Sequence, residues 1–225
     1  MNHAIQNARR RGTTMVELLI SALIMTSVLG AIGLTVLAGS RSYEEGVARA
    51  DVDGQARRLV SRIAEEFLTA SRATLDDGAP PWSGGTEDEG DVEYRYRQVQ
   101  GGAGGVAQLS PQRRVRLDYA QGEVDDGADN NGNGLVDECR ILLTLDTGTV
   151  TEIAIGGFVR EFLQDEDGGN DADDNFNGLD DERGLCMTFD PDTNTVMVRL
   201  TIERLTSQGR LVTSTAETSV LLRND

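Results

Sequence analysis

The chain predicts an α+β architecture, with one long N-terminal helix packed on an antiparallel β-sheet. Two patterns carry that expectation. From Leu18 to Ala38 no charged residue occurs, and beyond it apolar residues recur every three or four positions as far as Phe67. From Val92 onward the apolar residues fall instead in short alternating or β-branched runs broken by turn residues. A third pattern, an acidic loop that occurs twice, interrupts the strand region.

The helix comes first. A polar stretch ends in Arg9-Arg10-Arg11-Gly12, and Thr13-Thr14-Met15-Val16-Glu17-Leu18 comes next. As helix, the 21 uncharged residues from Leu18 to Ala38 span about 32 Å, enough to cross the apolar core of a bilayer. Three arginines ahead of the span favour the cytoplasmic side, so the chain beyond the span is exported. Glu17 is the odd feature. A carboxylate driven to mid-membrane costs about 2–3 kcal/mol, and such residues usually have a partner. Two other readings stand beside that one. Glu17 at headgroup level costs little, as in any signal anchor. Alternatively, Val36-Leu37-Ala38 resembles the cleavage site of a secretory signal, although an apolar region this long exceeds the usual ~7–15 residues.

The run Arg-Gly followed by Thr-Thr-Met-Val-Glu-Leu resembles the signal of the prepilin-type N-terminal cleavage and methylation family, the type IV prepilins and type II secretion pseudopilins. The resemblance implies cleavage by prepilin peptidase after Gly12 and N-methylation of the new N-terminal residue, Thr13. It also implies that Glu17 pairs with the N-terminal amine of a neighbouring subunit during assembly, a buried carboxylate facing a buried ammonium. The family usually has phenylalanine where this chain has Thr13, which bears on methylation more than on cleavage. Ser42-Tyr43 and Ser219-Val220-Leu221-Leu222-Arg223-Asn224 are similar to PilW-type minor pilins and J-type pseudopilins.

After Ala38 the helix becomes amphipathic. Val52, Ala56, Leu59, Val60, Ile63 and Phe67 share one face, and Arg57, Arg58, Arg62, Glu65 and Glu66 fill much of the rest. One helix is predicted from Thr14 to Ala70, its second half docked on a globular domain. Gly30, Gly33 and Gly39 each cost up to about 1 kcal/mol relative to alanine, so either local melting or close helix packing explains them. The expected organisation is a leader over 1–12, a membrane and filament-core segment over 13–40 and an amphipathic half over 41–72. A linker over 73–91, marked by Pro80-Pro81 and Ser83-Gly84-Gly85, leads to a β-rich domain over 92–225 with insert loops at 123–138 and 165–182.

Strands are expected near Val92–Val99, Arg114–Tyr119, Arg140–Leu145, Val150–Ile155, Leu185–Phe189, Val196–Glu203 and Leu211–Leu221. Asp146-Thr147-Gly148, Asp190-Pro191-Asp192 and Ser207-Gln208-Gly209 supply turns suited to antiparallel neighbours. A long helix over such a sheet looks like the pilin fold.

The insert loops share one grammar. Asp129-Asn130-Asn131-Gly132-Asn133-Gly134-Leu135-Val136-Asp137-Glu138 reappears 44 residues later as Asp173-Asp174-Asn175-Phe176-Asn177-Gly178-Leu179-Asp180-Asp181-Glu182. Calcium takes six to eight oxygen ligands, and the EF-hand loop supplies them at positions 1, 3, 5, 7 (a backbone carbonyl), 9 and 12, with glycine at 6. The two copies match through Asp129, Asn131, Asn133, Leu135 and Asp137 in one, and Asp173, Asn175, Asn177, Leu179 and Asp181 in the other. Position 12 is Arg140 or Gly184, so Glu138 and Glu182 at position 10 would have to replace the missing glutamate in a tighter loop. Two calcium sites are expected. The competing reading is a pair of solvated acidic loops without structure.

Of the net charge of −17, fifteen negative charges lie in these two segments, which hold six and nine acids and no base. Cys139 and Cys186 each closely follow one loop. A disulfide between them is expected, with two buried thiols as the alternative.

An acidic chain argues against nucleic acid as a partner. All 21 basic residues are arginine, and the only histidine is His3, inside the predicted leader. That composition excludes histidine triads, histidine-ligated zinc and Schiff-base lysines, so no enzyme and no catalytic residue is expected. The expected function is a structural, minor subunit of a type IV pilus or type II secretion pseudopilus, priming or capping the filament. Its partners would be other pilin or pseudopilin subunits, prepilin peptidase and the inner membrane. The globular domain would lie in the periplasm before entering the filament, or reach the cell surface. The alternatives are a membrane-anchored calcium-binding or adhesive module that never polymerises, and a divalent-metal enzyme using the acidic loops.

Overall fold

A computed structural model describes residues 14–75, 92–103, 106–149, 151–168, 170, 172–176 and 179–222. The leader with Gly12 and Thr13, all but the start of the linker, Asn177 and the terminal Arg223-Asn224 lie outside the described residues. The chain divides into two compact units, Met1–Glu44 and Glu45–Asp225.

Helix α1 runs unbroken from Met15 to Leu68, 54 residues, and passes through Gly30, Gly33 and Gly39 without interruption. Its first half is apolar and exposed. Its second half buries the six residues that the three-and-four spacing selects: Val52, Ala56, Leu59, Val60, Ile63 and Phe67. Full burial of a valine, leucine, isoleucine or phenylalanine is worth about 1.5–3 kcal/mol, so this stripe fixes the amphipathic half on the sheet.

Nine strands follow: β1 (Glu93–Tyr96), β2 (Val99–Ala103), β3 (Val106–Leu109), β4 (Arg113–Tyr119), β5 (Cys139–Thr144), β6 (Glu152–Val159), β7 (Leu185–Asp190), β8 (Thr195–Leu205) and β9 (Leu211–Leu221). The main sheet has seven strands in the order β1-β4-β5-β6-β8-β7, with β9 paired to β8 as well. All its pairings are antiparallel. Along one edge of β8 run β7, up to Leu200, and β6, at the single pair Val159↔Ile202; β9 pairs over the full length of β8.

The core lies between α1 and one sheet face. Val196, Val198, Leu200 and Ile202 from β8 meet Val115, Leu117, Ile141 and Leu143 from β4 and β5 there. Phe67 closes it against β1, edge-on to Tyr94 at 6.0 Å and tilted on Tyr96 at 5.0 Å. Polar stitches run along the helix: Glu66 accepts from the Tyr96 hydroxyl and the Arg113 guanidinium, at 2.9 and 3.0 Å.

Each of the seven expected strands is present. The β2–β3 hairpin was not expected, because Gly101-Gly102 gives that segment no alternation to read. β6 also runs on past Ile155 through Gly156-Gly157. Glycine there looks like a strand end, but at Gly156 it is a packing requirement: a Cβ would stand 2.5 Å from Leu59 Cδ1 of α1.

The expected disulfide is corrected. Cys139 and Cys186 are buried and not joined to one another. Cys139 pairs with Val159, whose partner is Ile202 on the core face, whereas Cys186 pairs with Arg199, three residues along β8 and on the opposite face. Three residues of strand cover about 10 Å, beyond the ~7 Å that a disulfide tolerates between Cα atoms. Nearness of each cysteine to a loop in sequence does not carry over to nearness in the sheet.

Candidate functional site

The polar groups of interest gather at three places, the start of α1 and the two acidic loops. At the helix start, the Thr14 amide donates to Glu17 Oε2 at 2.9 Å and the Glu17 amide donates to Thr14 Oγ1 at 3.3 Å. This is a capping box, satisfying two amides that the first turn leaves without helical acceptors. The same sequence that resembles a processing signal therefore also starts a helix by itself. From Met15 to Leu37 every large apolar side chain is more than half exposed. The hydroxyls of Thr26, Ser27 and Thr35 donate to helix carbonyls at Ala22, Leu23 and Ala31. These three groups thus need no water, as suits a helix in lipid.

The first loop joins β4 to β5 and the second joins β6 to β7. Tyr119, Cys139 and Val159 stand side by side in the sheet, so both loops leave it at one level. Arg183, at the end of the second loop, donates to Glu161 at 2.6 Å and to the Tyr119 hydroxyl at 3.3 Å. It also lies over the Phe162 ring at 4.5 Å. A groove of about 310 Å³ runs between Leu135 of the first loop, Phe162 at the start of the second, and Glu203 and Leu205 of β8.

The 44-residue repeat in sequence is a repeat in structure. Asp126 N donates to Asp137 Oδ1 in the first loop, and Asn170 N donates to Asp181 Oδ1 in the second. Ala128 N donates to Asp126 and Ala172 N to Asn170. Asn130 Nδ2 bonds Asp126, while Asn170 Nδ2 bonds Asp174, the same contact with amide and carboxylate exchanged. Backbone angles repeat too. Gly132 and Phe176 have φ of 78° and 60°, and Asp137 and Asp181 have 50° and 46°. A phenylalanine is rarely found there. Gly134, at position 6, has φ 90° as the glycine rule requires.

Within the first loop, Asp129 Oδ1 accepts from Gly132 N and Asn133 N, and Oδ2 from Gly134 N. Asp137 likewise turns to the backbone, accepting from Gly127 N at 2.7 Å. Leu135 is buried. The side chains that converge are Asn131, Asn133 and Glu138: both amides donate to Glu138 Oε1, at 2.7 and 2.5 Å. Glu138 is 2% exposed, and its Oε2 has no hydrogen-bond partner among the described residues.

In the second loop Asn175 Nδ2 donates to Glu182 Oε2 at 3.1 Å, and Arg199 reaches Glu182 Oε1 at 3.4 Å. Asp181 accepts from Asn170 N as Asp137 accepts from Asp126 N, and Asp173 and Leu179 are half-buried. Among the described residues no three His, Cys, Asp or Glu side chains form one metal-binding group. The clusters that do form mix carboxylate with amide.

Three buried acids were missed from sequence. Glu123 accepts from Asn131 N at 2.8 Å, bracing the first loop. Glu166 lies against Glu182, and burial first, then that neighbour, raises its carboxyl above the ordinary range. Glu203 on β8 is pushed up to about 7 by burial, with Arg160 opposing and Glu138 and Glu161 adding to the rise. For Glu123 and Glu166 the available signal was a glutamate within an otherwise Asp- and Asn-rich stretch, eight or nine positions ahead of position 3; Glu203 lies on β8, outside that pattern.

Comparison with protein-family models, curated proteins and solved structures gives no match to this chain.

Proposed function

We propose that this protein is a non-enzymatic structural subunit of a type IV pilus or type II secretion pseudopilus, a minor subunit that primes or caps the filament. The supporting observation is α1: an exposed apolar half headed by Glu17, continued by a half whose apolar stripe is buried under the sheet. A helix of this kind first holds the chain in the inner membrane, with its domain in the periplasm, and then packs among the similar helices of other subunits. Prepilin peptidase would cut after Gly12, and Thr13 would carry the methyl group. Glu17 satisfies the Thr14 amide in the single chain. On assembly it exchanges that contact for the amine of a neighbour, which charge pairing in an apolar surrounding favours. Calcium at the two loops would offset part of the charge of the fifteen acids gathered there.

Replacement Glu17→Ala tests this. Normal membrane insertion with loss of filament incorporation is expected, and mass spectrometry of the mature wild-type protein should find a methylated Thr13. Unchanged incorporation would favour the second reading, a membrane-anchored calcium-binding or adhesive protein that does not polymerise. A mature start at Gly39 would instead mark an ordinary secretory signal.

A further inference from the structure

The acids that the loop pattern nominates and the acids that meet the loop asparagine side chains differ by one position, although both sets are buried. In the EF-hand pattern the aspartate at position 9 faces the ion. Here Asp137 spends its two oxygens on the amides of Asp126 and Gly127, and Asp181 accepts from Asn170 N. Both sit at positive φ, which turns the chain so that the next residue points inward. That next residue is Glu138 or Glu182, at 2% and 0% exposure.

Glu138 Oε1 already collects two amides that converge from positions 3 and 5, and its buried Oε2 lacks a partner among the described residues. A buried carboxylate oxygen without a donor is costly unless a cation faces it. Turned over, the Asn131 and Asn133 amides would present oxygen in place of nitrogen, giving up the bonds that their Oδ1 atoms accept from Asn133 N at 3.0 Å and Leu135 N at 2.8 Å, which ion binding must outweigh. They would then face the ion together with Glu138. In the second loop Asn175 Oδ1 is likewise buried without a partner among the described residues, beside Glu182. Glu166, which enters from the chain ahead of the loop, lies against the same carboxylate.

Resting on the calcium reading of these loops, we propose that position 10 carries the charged calcium ligand in both. Glu138 acts with Asn131 and Asn133 in the first; Glu182 acts with Asn175 and Glu166 in the second. Asp137 and Asp181 are framework residues that shape the turn. Two carboxylates against one make the second loop the tighter site, since affinity follows ligand charge. Arg199 offsets part of that charge, but it is shared with Glu217 at 2.9 Å.

Calcium titration of the full-length chain in detergent, followed by calorimetry, tests the assignment. Wild type is expected to bind two ions. E138Q should weaken one site at least tenfold and leave the other, and E182Q should do the same for the tighter site. D137N and D181N, with the same loss of charge, should shift affinity less than threefold. Because glutamine can disturb a buried position, E138D and N131A serve alongside: both should keep the fold by circular dichroism, and both should weaken the first site. Loss of a site in D137N with E138Q unaffected would overturn the assignment. Absence of calcium binding by wild type would remove the calcium reading and this inference with it. Neither result touches the filament reading, which Glu17→Ala tests separately.

Discussion

Glu152 stands between the guanidinium groups of Arg114 and Arg116 on the face of the sheet away from α1, at 2.5 and 3.1 Å. The hydrogen bond and charge of Arg116, then those of Arg114, lower its carboxyl from 4.5 to about 2. A depressed carboxyl stabilises the fold fully above its unfolded value, and the contribution fades as pH falls through the folded one. Denaturant titrations should therefore show E152Q less stable than wild type by about 1 kcal/mol at pH 6, small because the group is partly solvated. The gap should close between pH 4.5 and about 2. Equal stability at neutral pH would contradict the ion pairing. None of this was legible in the sequence, because cross-strand partners depend on register. The loop residues were legible in part. Asp, Asn and Gly at fixed offsets identify a turn whose backbone they dictate, but offsets do not tell which of two adjacent buried acids, Asp137 or Glu138, meets the asparagine side chains.

The elements were read more fully than their junctions. A period near 3.6 in α1 selected every residue that the helix buries, since one face meets the sheet along its whole second half. Strands with alternating side chains were found for the same reason. β2–β3 escaped because glycine carries no side chain to alternate, and the end of β6 escaped because glycine there serves a neighbour. Gly156→Val should show this. The added side chain must displace Leu59, and overpacking of this kind costs about 1–3 kcal/mol. A lower midpoint of thermal unfolding in detergent is expected, with α1 residues 45–68 more open to protease. Unchanged stability would mean that the helix does not press on the sheet there. Glu66 belongs to the same interface. Its place in the polar remainder of the helical wheel gave no hint that Tyr96 and Arg113 enclose it.

For the molecule as a whole, pairing order decides what sequence distance cannot. Cys139 belongs to the core and Cys186 to the opposite face, so oxidation cannot join them without breaking the sheet. Intact mass should be the same with and without reductant, and two thiols should be titratable after denaturation; a loss of two mass units in the non-reduced protein would refute the strand register. Burial pushes the Cys139 thiol well up. Alkylation of that residue in the native protein should accordingly be slow. The sheet gathers acids as decisively as it parts cysteines, since both loops depart from neighbouring strand ends.

The exchanged pair in those loops, Asp126 with Asn130 and Asn170 with Asp174, has a wider consequence. One bracket holds the bend in both copies, yet the molecule has written it in mirror order. What is preserved is the couple, one oxygen-rich member and one nitrogen-bearing member, and neither seat is reserved for either. Sites of this sort look variable one at a time and are constrained only in twos, so a comparison of single columns would pass over them.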